Sequence, residues 1–346
     1  MSNNKHFADL LKVCSILPAL AIMPAMAGSG LENIGILDYS ETYDLYSMNS
    51  DGVVGSFDNY DASDRYEASV IFVGKGQELS VSDGAVIKDN RAQVGGAIAI
   101  TGKQPAATLN IGKDVKFINN TALFDGGAVG NYGNTIVANG VLFQGNKAQL
   151  APKENNDQIG GGAISLGATS KTTLVDVDFV ANESGYNGGA IGTRLADTSA
   201  GGKNDNSVAV LRIKESDFIT NKANGYIDEK GNLIAGNGGA IYNTFYADVS
   251  IEGADFKGNY AAKNGGAIYN DGAVDTNGNG ADMAVIDAEF EGNIAKSSGG
   301  AIYNSGKLVI LDSEFDGNKS ESWGGAIYNT GEMEFDGTAT FTGNSG

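Results

Sequence analysis

Residues 171–180 read KTTLVDVDFV, the two-residue alternation of a strand with one buried face. The pattern puts Val175, Val177 and Phe179 inside and Asp176 and Asp178 outside. Short apolar runs recur at 69–73, 97–101, 108–111, 208–213, 284–286 and 307–311, with no stretch of helical period between them. Two signatures alternate along the same region. Gly-Gly-Ala followed by Ile or Val starts at Gly95, Gly126, Gly161, Gly188, Gly238, Gly265, Gly299 and Gly324. Phe-x-x-Asn spans Phe117 to Asn120, Phe143 to Asn146, Phe179 to Asn182, Phe218 to Asn221, Phe256 to Asn259, Phe290 to Asn293, Phe315 to Asn318 and Phe341 to Asn344. A weaker copy runs from Ile87 to Asn90.

A fixed period in this range means stacked repeats. From Gly299 to Gly324 the step is 25 residues, and from Phe315 to Phe341 it is 26. Each unit has room for about three short strands with tight corners. The predicted fold is therefore all-β: a right-handed single-stranded parallel β-helix of about nine rungs. A leucine-rich repeat does not fit, because Leu is sparse and no unit holds a helical pattern. The Gly-Gly pairs suit a corner that needs a positive φ and a close backbone approach.

Comparing copies assigns the faces. The second position after the Ile or Val holds Ile100, Asn131, Leu166, Thr193, Asn243, Asn270, Asn304 and Asn329, and should point inward, with the Asn amides bonding the copy above. The position between should point outward, which makes Tyr242, Tyr269, Tyr303 and Tyr328 an outer aromatic column and a candidate binding face. The residue before the Phe is Asp178, Asp217, Asp255, Glu289 and Glu314 in five successive copies, an outer line of carboxylates. Four insertions interrupt the period, at 147–160, 192–207, 222–237 and 271–282. Two follow Phe-x-x-Asn and two follow Gly-Gly-Ala-Ile. Such insertions often build the binding surface of a solenoid, and neutral loops would look the same.

Composition refines the picture at the chain's start. Lys5, His6 and Lys12 precede an apolar run that ends in Ala25-Met26-Ala27, the form of a cleaved export signal over residues 1–27. Residues 28–64 are acidic, Tyr-rich and without repeat, a cap for the first rung or a leader. The β-helix then occupies 65–346. Export would remove the one Cys and the one His, together with Lys5, Lys12 and Asp9, and would move the net charge from −19 to −20. No disulfide, His base, Ser-His pair or His/Cys zinc site is then available. The acidic balance argues against nucleic acid and anionic membranes as partners. Carboxylate chemistry stays open, as in a polysaccharide lyase or hydrolase built on a β-helix. The run Asp275-Thr-Asn277-Gly-Asn279-Gly280 copies the start of a calcium loop, but Ile286 stands where the bidentate Glu belongs. An Asn/Gly-rich corner accounts for that run as well, so Ca2+ is the one cofactor to consider and none is otherwise expected.

The paired GGA[IV] and FxxN motifs, eight of each over residues 87–346, resemble those of the chlamydial polymorphic membrane proteins, a family of autotransporter adhesins. The resemblance implies a signal peptide, a β-helical passenger and a C-terminal outer-membrane barrel. It also implies display at the cell surface or secretion, and attachment to a protein or glycan of a host or neighbouring cell. These 346 residues depart from the family in showing no barrel and few cysteines. The series breaks off two residues past Asn344, so the expectation is a fragment of a longer protein. A non-enzymatic adhesin is the leading reading. A polysaccharide-active enzyme and a plain structural stalk are the alternatives.

Overall fold

The computed structural model describes residues 29–31, 37–40, 45–48, 50–62, 69–100, 106–131, 135–149, 160–167, 170–193, 209–244, 247–272 and 282–346. They form a parallel β-helix. The chain winds repeatedly through three long sheets, here A, B and C, and each strand pairs with its copy in the next rung. Sheet A carries the segments that lead to the Phe, such as Lys171–Val180 and Lys307–Asp316. Sheet C carries the short segments after the Asn, such as Lys222–Ala223 and Tyr260–Ala261. Sheet B carries the segments after Gly-Gly-Ala, such as Ile268–Asn270 and Ile302–Asn304. Register is strict: Phe256 lies opposite Phe290, Ala261 opposite Ala295, and Tyr269 opposite Tyr303.

The interior is built of columns. Phe117, Phe143, Phe179, Phe218, Phe256, Phe290 and Phe315 are each no more than 1% exposed. Neighbouring rings lie nearly parallel at 4.7–5.1 Å. Stacking of this kind adds about 0.5–1.5 kcal/mol per pair beyond the area buried. Beside the Phe column runs an amide ladder. The Nδ2 of Asn221 donates to Asn259 Oδ1 at 3.1 Å and to the Phe179 carbonyl at 2.8 Å, and the Asn221 backbone N–H donates to the same Oδ1. Asn259 repeats the arrangement on Asn293 and Phe218, and Asn293 on Asn318 and Phe256. A buried amide is costly unless bonded, and here each interior oxygen accepts twice and each nitrogen donates twice. A second ladder on sheet B joins Asn243, Asn270, Asn304 and Asn329, which confirms their inward direction.

The two glycines of each pair serve different ends. Gly265 has φ +66°, in the left-handed region. At Gly266 a Cβ would stand 2.0 Å from the Gly300 carbonyl oxygen of the next rung. The first needs the conformation and the second needs the space.

Two sequence expectations are corrected. Val175 is half-buried, and Leu174 and Val177 hold the interior positions. The cause is a left-handed residue, Asp176 at φ 54°, which breaks the alternation and leaves two successive residues outside. Asp114, Glu215, Asp287 and Asp312 repeat it, and Gly84, Gly140, Gly253 and Gly337 share the conformation. The second correction concerns the start of the helix, which reaches back beyond residue 65. Gly52–Val54 pairs in parallel with Glu78–Val81, and Phe57 lies opposite Ile87 in the Phe column. Tyr60 takes the place of the ladder Asn, its backbone N–H donating to Asn90 Oδ1, so the motif is disguised. Before it, the antiparallel strands Leu37–Ser40 and Leu45–Met48 extend sheet B.

Candidate functional site

The outer face of sheet B changes character along the axis. Its outward positions are Phe72, Ala99, Gly130, Ser165 and Gly192 in five successive rungs and then Tyr242, Tyr269, Tyr303 and Tyr328. The four tyrosines are half-buried and form one ladder. Their centroids step by 5.3, 4.8 and 5.3 Å, with interplanar angles of 23°, 3° and 38°. Strict register in the strands beneath imposes this, because each Tyr sits between an inward Ile and an inward Asn. The ring faces are turned toward each other, so the ladder turns ring edges outward, with the Tyr242 hydroxyl held by Asp271 and the Tyr269 hydroxyl hydrogen-bonded to Ser305.

Asp271 follows the sheet B strand and lies by the first step of the ladder. The Tyr242 hydroxyl donates to Asp271 Oδ2 at 3.4 Å. Burial, and after it the Asp271 charge, raises the Tyr242 and Tyr269 hydroxyls above the ordinary phenol range, so both stay protonated donors. The neighbouring phenols of Tyr269 and Tyr186 oppose the ionisation of Tyr242 further. Tyr186 in turn stacks on Tyr226 at 6.1 Å. Tyr226 belongs to a hairpin, Tyr226–Ile227 with Leu233–Ile234, that the sequence pattern did not reveal. Asp228 fastens its turn by accepting from the backbone N–H of Lys230 and Asn232 and from the Asn232 side chain, and these bonds lower its pKa. Asp228 and Gly231 flanking a short loop were the available signal.

The insertions all meet sheet B. Those at 147–160 and 222–237 leave sheet C and enter sheet B. Those at 192–207 and 271–282 leave sheet B and enter sheet A. The corner between sheets A and C keeps its length, since every Phe-x-x-Asn there is followed directly by the next short strand. The large changes in chain length therefore fall on the borders of sheet B, with 147–160 and 192–207 beside the rungs of Ser165 and Gly192 and 222–237 and 271–282 beside those of Tyr242 and Tyr269. Asp275, Asn277 and Asn279 of the candidate calcium loop lie outside the described residues, as does the export signal.

The carboxylate column stands apart, on the outer face of sheet A. Asp217 lies opposite Asp255, Asp255 opposite Glu289, and Glu289 opposite Glu314. Lys257 reaches Asp255 at 2.8 Å and Glu289 at 3.4 Å, and its ammonium is pushed up to about 12, chiefly by the hydrogen bond to Asp255. Among the described residues no group of three or more carboxylates is arranged to hold a metal ion. Asp178 and Asp217 are raised above the ordinary Asp value, first by burial and then by the neighbouring carboxylates Asp217 and Asp176 for one, Asp255 and Asp176 for the other, with Lys257 opposing the shift at Asp217. The folded chain thus takes up these protons at a higher pH than the unfolded chain. The destabilisation they impose is complete above the folded values and fades as pH falls toward the unfolded value of 3.8. Asp178→Asn should raise the melting midpoint at about pH 7, and the gain over wild type should disappear near pH 4. Melts of both proteins across that range at fixed ionic strength check it, and a gain independent of pH would show that packing, not charge, is responsible.

The model of the Chlamydia polymorphic membrane protein (Chlamydia_PMP) repeat matches residues 253–271, 287–305 and 312–330. Three stretches of the chain are thus similar to this repeat. Each matched stretch opens on a left-handed bend residue, Gly253, Asp287 or Asp312, and closes just after the inward Asn of sheet B. Each matched stretch thus covers the second half of a sheet A strand, a sheet C strand and a sheet B strand, with the two corners between them. The probable outer membrane protein pmp7 of Chlamydia pneumoniae is 31% identical over 165 residues, 47% of this chain and 16% of that protein. Among solved structures, the catalytic domain of a GH87 alpha-1,3-glucanase in complex with tetrasaccharides is similar over 85% of this chain and 62% of its own, at 11% identity and a TM-score of 0.33.

Proposed function

We propose that the chain is part of the passenger of a surface-displayed autotransporter and that it attaches to cell surfaces through the outer face of sheet B. The observation that carries this reading is the Tyr ladder on the outer face of sheet B, the sheet on whose borders the insertions gather, two of them, at 222–237 and 271–282, beside the Tyr242 and Tyr269 rungs themselves. A rigid solenoid with one variable face is the arrangement expected of a long contact surface. The outer-membrane relative supports export and display at the cell surface, with the β-helix held outside. A non-enzymatic role is supported by the sheet A carboxylates, which follow one another along the axis in a single file.

Changing Tyr242, Tyr269, Tyr303 and Tyr328 to Thr keeps strand-forming residues while removing the rings. Attachment of the purified protein to cultured epithelial cells should fall at least tenfold. The stacked pairs contribute about 0.2–1 kcal/mol each, so a lower melting midpoint is expected and binding is read well below it. A control variant changes Lys222, Ile294 and Lys319, outward positions of sheet C, to Thr. Undiminished attachment by the Tyr variant, or an equal loss in the control, removes sheet B as the contact face.

A further inference from the structure

The form of the Tyr ladder narrows what it can hold, and the argument rests on the reading that sheet B is the contact face. An extended peptide running along the axis would place its same-face side chains about 6.6–6.8 Å apart. That spacing drifts by about one rung over the ladder's steps of 5.3, 4.8 and 5.3 Å. A peptide running with the strands would meet a single rung. A helix has a more suitable pitch, about 5.4 Å, but helices pack by setting side chains into grooves. Rings stacked this closely leave no groove between rungs, and they present edges and hydroxyls where a helix would need apolar area.

A row of hydroxyls one rung apart matches a different polymer. An unbranched chain of extended pyranose units advances by close to one rung per sugar, and each unit carries hydroxyl or amide groups to exchange hydrogen bonds with a phenol. The Asp271 carboxylate beside Tyr242 supplies a strong acceptor at one end of the row. Charge excludes the acidic glycans. The outward positions of sheet B from Ala99 to Tyr328 carry no cation, and the whole chain has a net charge of −19. A sulfated or uronate-rich chain would meet repulsion without compensation. We infer that the Tyr ladder of sheet B is a binding track for an unbranched, uncharged polysaccharide lying along the helix axis, with about one sugar per rung and contacts made through the Tyr hydroxyls.

The test uses the chain as it stands and a variant with Tyr242, Tyr269, Tyr303 and Tyr328 changed to Phe, which keeps the stack and removes the hydroxyls. Binding of cello- and chito-oligosaccharides, from disaccharide to hexasaccharide, is measured by calorimetry beside a heparin hexasaccharide. At least one neutral series should bind, tightening with length up to about the number of ladder rungs, and the Phe variant should bind at least tenfold more weakly with an unchanged melting midpoint. Heparin should not bind. Failure of both neutral series, equal binding by the Phe variant, or preference for heparin overturns the inference. Cell attachment separates the two claims. Cells stripped of surface glycan by periodate should lose attachment. If they keep it while the Tyr-to-Thr variant loses it, the partner is a protein, and the contact face stands without the glycan.

Discussion

Asn259→Ala is expected to lower stability by about 3–5 kcal/mol, although it removes only one amide from a chain of this length. Asn259 Oδ1 accepts the backbone N–H and the Nδ2 of Asn221, and its Nδ2 donates to Asn293 Oδ1 and the Phe218 carbonyl. Truncation leaves two donors of Asn221 and one backbone carbonyl without partners in a site closed to water. Each such group costs about 1–3 kcal/mol. In a solenoid the damage stays with its neighbours, because each rung contacts only the rungs beside it. Hydrogen exchange should therefore accelerate in the rungs of Phe218 and Phe256 while those of Phe117 and Phe143 hold their protection. Denaturant melts supply the total. The same change at Asn264, a half-buried amide outside this ladder whose Oδ1 accepts the Ser298 backbone N–H, should cost clearly less. Equal costs at the two positions would mean that the ladder adds nothing beyond local packing.

The ladder also shows why so much of the fold could be read from residues alone. A β-helix repeats one environment, so every position is sampled many times in one sequence. Phe-x-x-Asn marked both interior columns, and the Ile-Tyr-Asn triplets fixed which side of sheet B faces outward. Legibility failed where one backbone conformation is met by several residue types. The bend at Asp176 is filled by Asp, Glu or Gly, all common on an exposed strand, so the column carries no distinctive letter. Its signature is visible only in the pairing, as two outward residues in succession. Phe57 was hidden for a related reason: Tyr60 meets the ladder with its backbone N–H and needs no amide of its own. Tyr60 instead accepts the Leu31 backbone N–H on its hydroxyl and closes the start of the core. The Tyr column was legible as a place but not as a chemistry. Alternation put it outside; only the ring geometry shows that its faces are spent on one another.

The same repeat makes the second glycine of each pair the most sensitive position on the functional face. Gly266→Ala should cost at least about 3 kcal/mol. Its Cβ would stand 2.0 Å from the Gly300 carbonyl oxygen and 2.7 Å from the Ile294 backbone nitrogen. Both obstacles are main chain held in sheet pairing, so neither can rotate away, and the two rungs must part. Gly292→Ala provides the comparison. Gly292 has φ +60°, but its Cβ would meet nothing within 4 Å. That change carries only the left-handed strain, about 1–2 kcal/mol, partly offset by the lower entropy of the unfolded chain. If the two variants melt alike, conformation alone explains the glycines and the close approach of rungs is irrelevant. The functional consequence follows from position. Gly266 lies two residues before the strand that carries Tyr269, and its obstacle, Gly300, two residues before the strand that carries Tyr303. Parting these rungs opens the 4.8 Å step at the centre of the ladder, so Gly266→Ala should weaken attachment at temperatures where the protein remains folded, and Gly292→Ala should leave it unchanged.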